Sequence, residues 1–377
     1  MSRSNTVEHL PTKGFQRKFE EEFAARFGRR ALSRREMLAM VSAAGAGVVL
    51  GRTRALAQSM DKGPRFVDVH HHIYPPKFMA ANLGNMEAQA QLNGSPFTKW
   101  TPRYSLDQMD QTGVATAMGS ITSPGIWYGD VEEGRRNARE CNEYGAMLVQ
   151  DYPGRFGVFA AVPLPDTEGS LREIEYAYDT LKVDGIGLLT SYDNGKLLGH
   201  AQFAPVFDEL NRRKAVVFVH PTLTCCADLG QHVSPLSIEF PADTTRTIGD
   251  LIFSGTLVRC PDIRFIFSHG GGTVLMLISR LAGNGLKPEE RAKIIPNGFG
   301  AELKKLYYDV ASVAVNPAAM AALFSAIPIS QIVFGSDLPF WKIETISSAT
   351  NKFDLPANDL RAIQRDNALR LFPRLRA

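Results

Sequence analysis

Residues 67–73 read VDVHHHI, a short run of apolar and β-branched residues that leads into three consecutive histidines. β-Branched residues favour strands, and alternate side chains along an extended chain lie on the same face. His70 and His72 therefore share one face, and His71 points to the other. The stretch predicts a strand whose C-terminal end presents two imidazoles as a chelate, although an HxH pair alone is also compatible with an incidental polar run.

Short β-rich runs recur after this stretch, with amphipathic helical stretches between them, an alternation typical of parallel βα units. Eight units favour a closed (β/α)₈ TIM barrel of the α/β class over an open doubly wound sheet. The predicted strands are Phe66–His70, Ala115–Ile121, Gly157–Val162, Gly185–Leu189, Val216–His220, Arg264–His269, Leu306–Val310 and Gln331–Gly335. The predicted helices include Gly134–Tyr152, Ser170–Lys182, Ala204–Lys214, Thr244–Val258 and Pro317–Ala326, and Asn82–Thr101 is predicted to be a loop-rich insertion over the barrel mouth.

The polar residues that end these strands are expected on one rim, because a TIM barrel carries its functional groups at the C-terminal ends of its strands. They are His70 and His72 after strand 1, His220 after strand 5, His269 after strand 6, Asp309 after strand 7 and Asp337 after strand 8. The imidazoles of His70, His72 and His220 and the carboxylate of Asp337 suit one divalent metal, Zn²⁺ with Mn²⁺ as the alternative. For His220 and His269, the alternative is a core histidine bonded to backbone.

The first 57 residues have the three-part form of an export signal. A basic stretch contains the pair Arg34-Arg35, an apolar stretch runs over residues 37–50, and Ala55-Leu56-Ala57 forms a small-x-small cleavage site. Residues 1–57 are therefore predicted to be a twin-arginine signal, and residues 58–377 a periplasmic barrel domain. The apolar stretch of about 14 residues is shorter than the ~20 that span a bilayer, which disfavours a retained anchor and stable membrane insertion.

Charge argues against a nucleic-acid partner. The chain carries 42 Lys and Arg against 39 Asp and Glu, and 11 and 5 of these lie in residues 1–57. The predicted barrel domain is left with 31 against 34, a net charge of −3, which offers no basic face.

The four cysteines are Cys141, Cys225, Cys226 and Cys260, and no pair has CxxC spacing. Neither a disulfide framework nor a zinc ribbon is indicated, and buried free thiols are expected. Cys225 and Cys226 follow His220 in a predicted loop over the site, so metal binding by these thiolates is an alternative.

The chain resembles the amidohydrolase-related decarboxylase branch of the amidohydrolase superfamily over nearly all of residues 65–375. The matching segments are VDVHHHIYPP, LDQMDQTGVATA, NEYGAMLVQDYPGRFGVFAAVPLPD, VVFVHP, EFPADTTRTIGDLIFSGTL, FIFSHGGG and IVFGSDLPF. This branch includes aminocarboxymuconate-semialdehyde and 6-methylsalicylate decarboxylases. The resemblance implies a mononuclear metal bound by His70, His72, His220 and Asp337, with His269 beside it as an acid/base, and a homodimer.

The resemblance has departures that bear on the substrate. Resorcylate-type decarboxylases carry Glu where His70 stands, so the chain is more similar to the His-x-His group. The semialdehyde decarboxylase holds a substrate carboxylate with an arginine that residues 80–99 lack. Lys99, Arg103 and Arg246 are left as candidate anchors, with surface or structural roles as the alternative.

The resemblance implies non-oxidative decarboxylation of an aromatic or unsaturated carboxylic acid, with His269 and Asp337 as the catalytic proton donors. Hydrolysis of a lactone, ester or amide is the alternative, because the same ligand set serves both reactions. A binding protein on an inactive barrel is a third hypothesis, but such a protein is expected to lose a ligand.

Overall fold

The computed structural model describes residues 66–90, 98–193, 195–222, 232–282 and 286–376. Eight parallel strands follow one another in chain order around a barrel, which confirms the predicted TIM-barrel fold. The strands are β1 (Phe66–His72), β2 (Val114–Ser120), β3 (Phe156–Ala161), β4 (Gly185–Leu189), β5 (Val216–His220), β6 (Arg264–Phe267), β7 (Tyr307–Asp309) and β8 (Ile332–Val333). The predicted signal and its cleavage site lie outside the described residues.

The barrel closes between its first strand and the chain that follows its last. The N–H of Asp337 donates to the carbonyl oxygen of His70 at 2.7 Å, and the N–H of His72 donates to that of Leu338 at 2.9 Å. These bonds hold the segment after β8 beside the end of β1. Backbone hydrogen bonds alone therefore hold Asp337 close to His70 and His72.

The helices pack around the strands, and their bounds differ in part from those predicted. They are α1 (Pro76–Ala90), α2 (Pro102–Thr112), α3 (Val131–Asp151), α4 (Thr167–Tyr176), α5 (Ala204–Arg212), α6 (Pro235–Phe253), α7 (Thr256–Arg259), α8 (Ile278–Ala282), α9 (Pro288–Ile294), α10 (Phe299–Leu303), α11 (Pro317–Ala326), α12 (Ile343–Thr350), α13 (Ala357–Arg361) and α14 (Asn367–Leu371). Among the described helices, none is long and apolar enough to cross a bilayer.

Two helix predictions need correction. The loop-rich insertion predicted from Asn82 is wrong up to residue 90, because α1 continues there; its second half is rich in Ala, Met, Glu and Gln, which are strong helix formers. Helix α6 begins before the predicted Thr244 and contains Pro241 within it. Proline removes one backbone hydrogen bond and usually marks a helix boundary, so the sequence placed the start too late.

The apolar core has two parts. The larger lies between the strands and the helices, and the smaller fills the barrel interior with side chains such as Val69, Phe159 and Phe218. The C-terminal segment covers the end of the barrel at which the strands begin. There the centroid of the Phe372 ring lies 5.7 Å from that of the Phe159 ring. This packing leaves the rim at the C-terminal ends of the strands as the accessible end of the barrel.

Candidate metal centre

Five polar side chains meet at the C-terminal rim. His70 and His72 come from β1, His220 ends β5, His269 follows β6 and Asp337 follows β8. His70 and His72 have no exposed surface, and His220 and Asp337 are 3% and 6% exposed. The structure therefore brings together the four predicted metal ligands and His269, the predicted acid/base.

A bulge in β1 turns the histidines inward. Asp68 pairs with Ala117 of β2 but His71 pairs with Gly119, so β1 contains one more residue than β2 over this interval. Bulges often redirect side chains beside active sites. The bulge explains how His70 faces the interior although Val69, next to it, also packs in the interior core.

The donor atoms of three of these residues form a compact triangle. The Nε2 atoms of His70 and His72 are 3.2 Å apart, and each lies 3.1 Å from Oδ1 of Asp337. Nitrogen ligands of a tetrahedral Zn²⁺ bound at ~2.0–2.1 Å lie about 3.3 Å apart. The spacing of the two imidazoles thus fits a single metal ion.

Hydrogen bonds at the other ring nitrogen orient these imidazoles. Nδ1 of His70 donates to Oδ2 of Asp309 at 2.8 Å, and Nδ1 of His220 donates to the carbonyl oxygen of the next residue at 2.8 Å. Nδ1 of His72 lies 3.2 Å from Oγ of Ser120. With the proton held on Nδ1 of His70 and His220, their Nε2 lone pairs point into the site, the arrangement expected of metal ligands.

The electrostatics of the cluster favour a cation. Burial lowers the pKa of His72 to about 4 and holds the pKa of His220 well below its ordinary value. Both imidazoles are therefore neutral and can offer a nitrogen lone pair to a metal. Burial also opposes charge on His70, but the carboxylates of Asp309 and Asp337 outweigh it and raise the pKa of His70 to about 10. In the metal-free protein a second proton, on Nε2 of His70, therefore balances these carboxylates, and it would have to leave before this nitrogen could bind a divalent cation.

His269 competes with His72 for the fourth ligand position. The ligand atoms of His70, His220, His269 and Asp337 all lie within 4.8 Å of one another. However, Nε2 of His269 contacts Oδ2 of Asp337 at 3.3 Å, whereas His70 and His72 both contact Oδ1. His72 and His269 therefore contact different oxygens of the same carboxylate, and the assignment of His72 as the fourth ligand stays a prediction.

Two of the site residues have a left-handed backbone. The φ angles of His269 and Asp337 are 53° and 66°, which for residues other than glycine costs of order 1–3 kcal/mol. The glycines after His269 are needed for close packing, because a Cβ on Gly272 would overlap the carbonyl oxygen of Pro241. The His-Gly-Gly-Gly run therefore allows the backbone after β6 to lie directly against that of α6.

Asp68 and Asp309 support the site, and the sequence assigned neither of them a role. Asp309 had been noted only as a carboxylate at the end of a strand, and it orients His70. Oδ1 of Asp68 accepts from the N–H of Ser336 at 2.8 Å and Oδ2 accepts from its Oγ at 2.6 Å. Asp68 also accepts from Nδ1 of His71 at 3.1 Å, so His71 points away from the metal side as predicted.

A cavity of about 670 Å³ extends from this cluster to the surface. Its described lining residues include neither Arg nor Lys. Of the predicted carboxylate anchors, Lys99 is exposed, Arg103 pairs with Asp107 at 2.8 Å, and Arg246 lies 3.6 and 3.7 Å from Glu239 and Asp243. None of the three lines the cavity, so the structure does not support these anchors.

The two cysteines that the structure describes lie outside the metal cluster. Cys141 and Cys260 are buried free thiols, as predicted. Cys225 and Cys226 lie outside the described residues, and metal binding by them stays a prediction.

Comparison with known proteins shows a common family. The amidohydrolase family model, Amidohydro_2, matches residues 67–374. The protein named decarboxylase macB of Penicillium terrestre is 38% identical over 327 residues, covering 82% of this chain and 95% of its own. The 6-methylsalicylic acid decarboxylase of Penicillium expansum is 36% identical over 324 residues, covering 82% and 97%. A dihydroxybenzoic acid decarboxylase of Polaromonas sp. JS666, solved with manganese and the inhibitor 2-nitroresorcinol, is similar in fold, with a TM-score of 0.71 at 21% identity over 83% of this chain and 98% of its own.

Proposed function

Because the chain belongs to the amidohydrolase family, we propose that it is a metal-dependent carboxy-lyase that removes CO₂ from an aromatic carboxylic acid without oxidation. The observation that carries the proposal is a largely apolar cavity that ends at a buried cluster of imidazoles and a carboxylate. The two fungal relatives are decarboxylases by name, which supports the same reaction here.

The residues of the site divide into ligands and proton donors. His70, His72, His220 and Asp337 would hold the metal, which supplies positive charge to bind the substrate's carboxylate or adjacent oxygen and stabilise developing charge. Nε2 of His269 lies 3.3 Å from Oδ2 of Asp337, and a proton on this nitrogen would be the one delivered to the substrate. When the C–C bond breaks, CO₂ leaves, the electron pair stays on the ring carbon, and the proton from His269 forms the new C–H bond.

The cavity suits an aromatic ring. The Phe240 ring lies 5.9 Å from the His220 ring, and the Phe340 ring lies 5.8 Å from the His72 ring. Both phenylalanines line the cavity, so a substrate ring bound at the cluster would contact aromatic faces and be shielded from water. None of the described lining residues is Arg or Lys. We therefore expect the substrate's carboxylate to bind at the metal end of the cavity.

The test is to separate CO₂ release from acid release. Metal-loaded protein is incubated with 6-methylsalicylate, dihydroxybenzoates and a set of small lactones and aryl esters. We expect one CO₂ for each aromatic acid consumed and no acid release from the lactones or esters. Lactone hydrolysis without any decarboxylation would instead establish the hydrolase alternative and reject the proposal.

We propose Zn²⁺ as the resident metal and a homodimer as the assembly. Three imidazole donors and one carboxylate suit Zn²⁺, and Mn²⁺ is the alternative, since the Polaromonas enzyme was solved with manganese. Elemental analysis of protein purified without added metal identifies the ion. Sedimentation analysis of the same sample gives the oligomeric state.

Export by the twin-arginine route remains a proposal about residues outside the described range. We expect the double variant Arg34→Lys/Arg35→Lys to accumulate as full-length precursor in the cytoplasm, because the adjacent guanidinium groups are what the export machinery recognises. Cell fractionation with immunoblotting measures the effect. Arg52→Lys/Arg54→Lys is the matched control and should be exported, whereas normal periplasmic processing of the Arg34/Arg35 variant would reject the proposal.

A further inference from the structure

The cavity is much larger than one substituted benzene ring. An apolar cavity of about 150 Å³ holds a benzene molecule, whereas this cavity measures about 670 Å³. The cluster residues His220, His269 and Asp337 line it at its buried end. A simple hydroxybenzoate bound there would leave most of the volume unfilled.

The remaining walls are mainly apolar. The side chains that form them include those of Leu236, Pro241, Leu275, Met276, Val313 and Leu323. Ala318, Ala319 and Ala322 of α11 also line the cavity, and their small side chains leave space rather than fill it. Water in such a space would find few polar partners, so an apolar ligand group is favoured there.

Several polar groups on the walls already have partners within the protein. Oγ of Ser123 lies 3.1 Å from Oγ1 of Thr222, and Oγ1 of Thr273 lies 3.0 Å from Oγ1 of Thr245. Oδ1 of Asn316 accepts from the backbone N–H of Ala318 at 3.1 Å, as the cap of α11. These groups therefore offer little to a second charged or strongly polar substituent.

The apolar lining continues to the protein surface. Met276 and Trp341 both line the cavity, and they are 66% and 36% exposed, whereas His220 and Asp337 are 3% and 6% exposed. This difference gives the cavity a direction, from the buried cluster to an apolar mouth. Exposed apolar surface joined to a pocket is typical of a ligand-binding region.

We propose that the substrate is a hydroxybenzoate that carries an alkyl chain of several carbons, with its carboxylate at the metal cluster and the chain extending along the apolar walls to Met276 and Trp341. The inference rests on the proposed function, which places the carboxylate at the cluster. It adds a substrate class with a longer apolar substituent than the methyl group named for the fungal relative.

A chain-length series tests the inference. Metal-loaded protein is assayed for CO₂ release from salicylates with a methyl, propyl or pentyl group at position 6. We expect kcat/KM to rise about two- to fourfold per methylene, mainly through a lower KM, because each added CH₂ leaves water for an apolar wall. A flat or falling series with active 6-methylsalicylate would overturn the inference but leave the proposed function intact. Failure of all three salicylates with CO₂ release from a dihydroxybenzoate would also overturn only the inference, and no CO₂ release from any of these acids would reject both.

A filled cavity provides the second test. Ala319→Phe places a large ring in the space assigned to the chain and should lower the pentyl-to-methyl ratio of kcat/KM at least ~10-fold. Ala321→Phe is the matched control, because Ala321 lies on the same helix, is exposed and does not line the cavity. Equal ratios in the two variants and the wild type would also overturn the inference.

Discussion

His70→Ala, His220→Ala and Asp337→Ala should each lose bound metal and activity together. Each substitution removes one ligand atom from a buried site, and the hydrogen bonds at Nδ1 of His70 and His220 restrict how far these imidazoles can move to compensate. We expect less than a tenth of the wild-type metal content after dialysis and a loss of kcat of at least ~10³-fold, since the metal's charge stabilisation is lost with the ion. Elemental analysis and CO₂ release measure the two effects on the same samples.

His200→Ala is the matched control for these variants. His200 is exposed, and its Nδ1 accepts from the N–H of Gln202 at 3.3 Å, away from the cluster. This variant should keep wild-type metal content and kcat. Stoichiometric metal in folded His70→Ala, His220→Ala and Asp337→Ala would show that the ligand assignment is wrong.

The barrel could be predicted from the sequence because the same strand-and-helix pattern recurs eight times. Strands β4 and β5 end where the sequence predicted, at Leu189 and His220, since short apolar runs bounded by polar residues leave little choice of register. Helix α11 also has its predicted bounds, because Pro317 begins it and Ile327-Pro328 follows its end. Eight repeats of one unit tolerate errors at individual boundaries, such as the late start predicted for α6.

The candidate site was predicted only as far as side-chain type and strand position allow. Strand ends located His70, His220 and Asp337, because TIM barrels gather their functional groups there. The bulge in β1 and the left-handed backbone at Asp337 could not be predicted, since both depend on closure between β1 and the chain after β8. The role of Asp309 also depends on its contact with His70, which lies on a strand distant in sequence, so its position at a strand end did not reveal that role.

Loss of the His269 imidazole should leave the metal bound and slow the reaction strongly. Nε2 of His269 lies 3.3 Å from Oδ2 of Asp337, whereas Nε2 of His70 and Nε2 of His72 each lie 3.1 Å from Oδ1. A positioned acid or base contributes ~10²–10⁴-fold in rate. We therefore expect His269→Ala to keep near-full metal occupancy, to lose at least ~10²-fold in kcat and to change KM less.

A second substitution separates proton transfer from backbone strain at the same position. The φ angle of His269 is 53°, a conformation that asparagine adopts more readily than alanine, so His269→Asn should retain stability that His269→Ala loses. Asparagine can hydrogen-bond to Asp337 but cannot deliver a proton at neutral pH. If both variants are slow while His269→Asn keeps the wild-type melting temperature and metal content, the defect lies in proton transfer. If His269→Asn instead loses metal, His269 is a ligand in place of His72, and if it keeps full kcat per metal-loaded molecule, His269 has only a structural role.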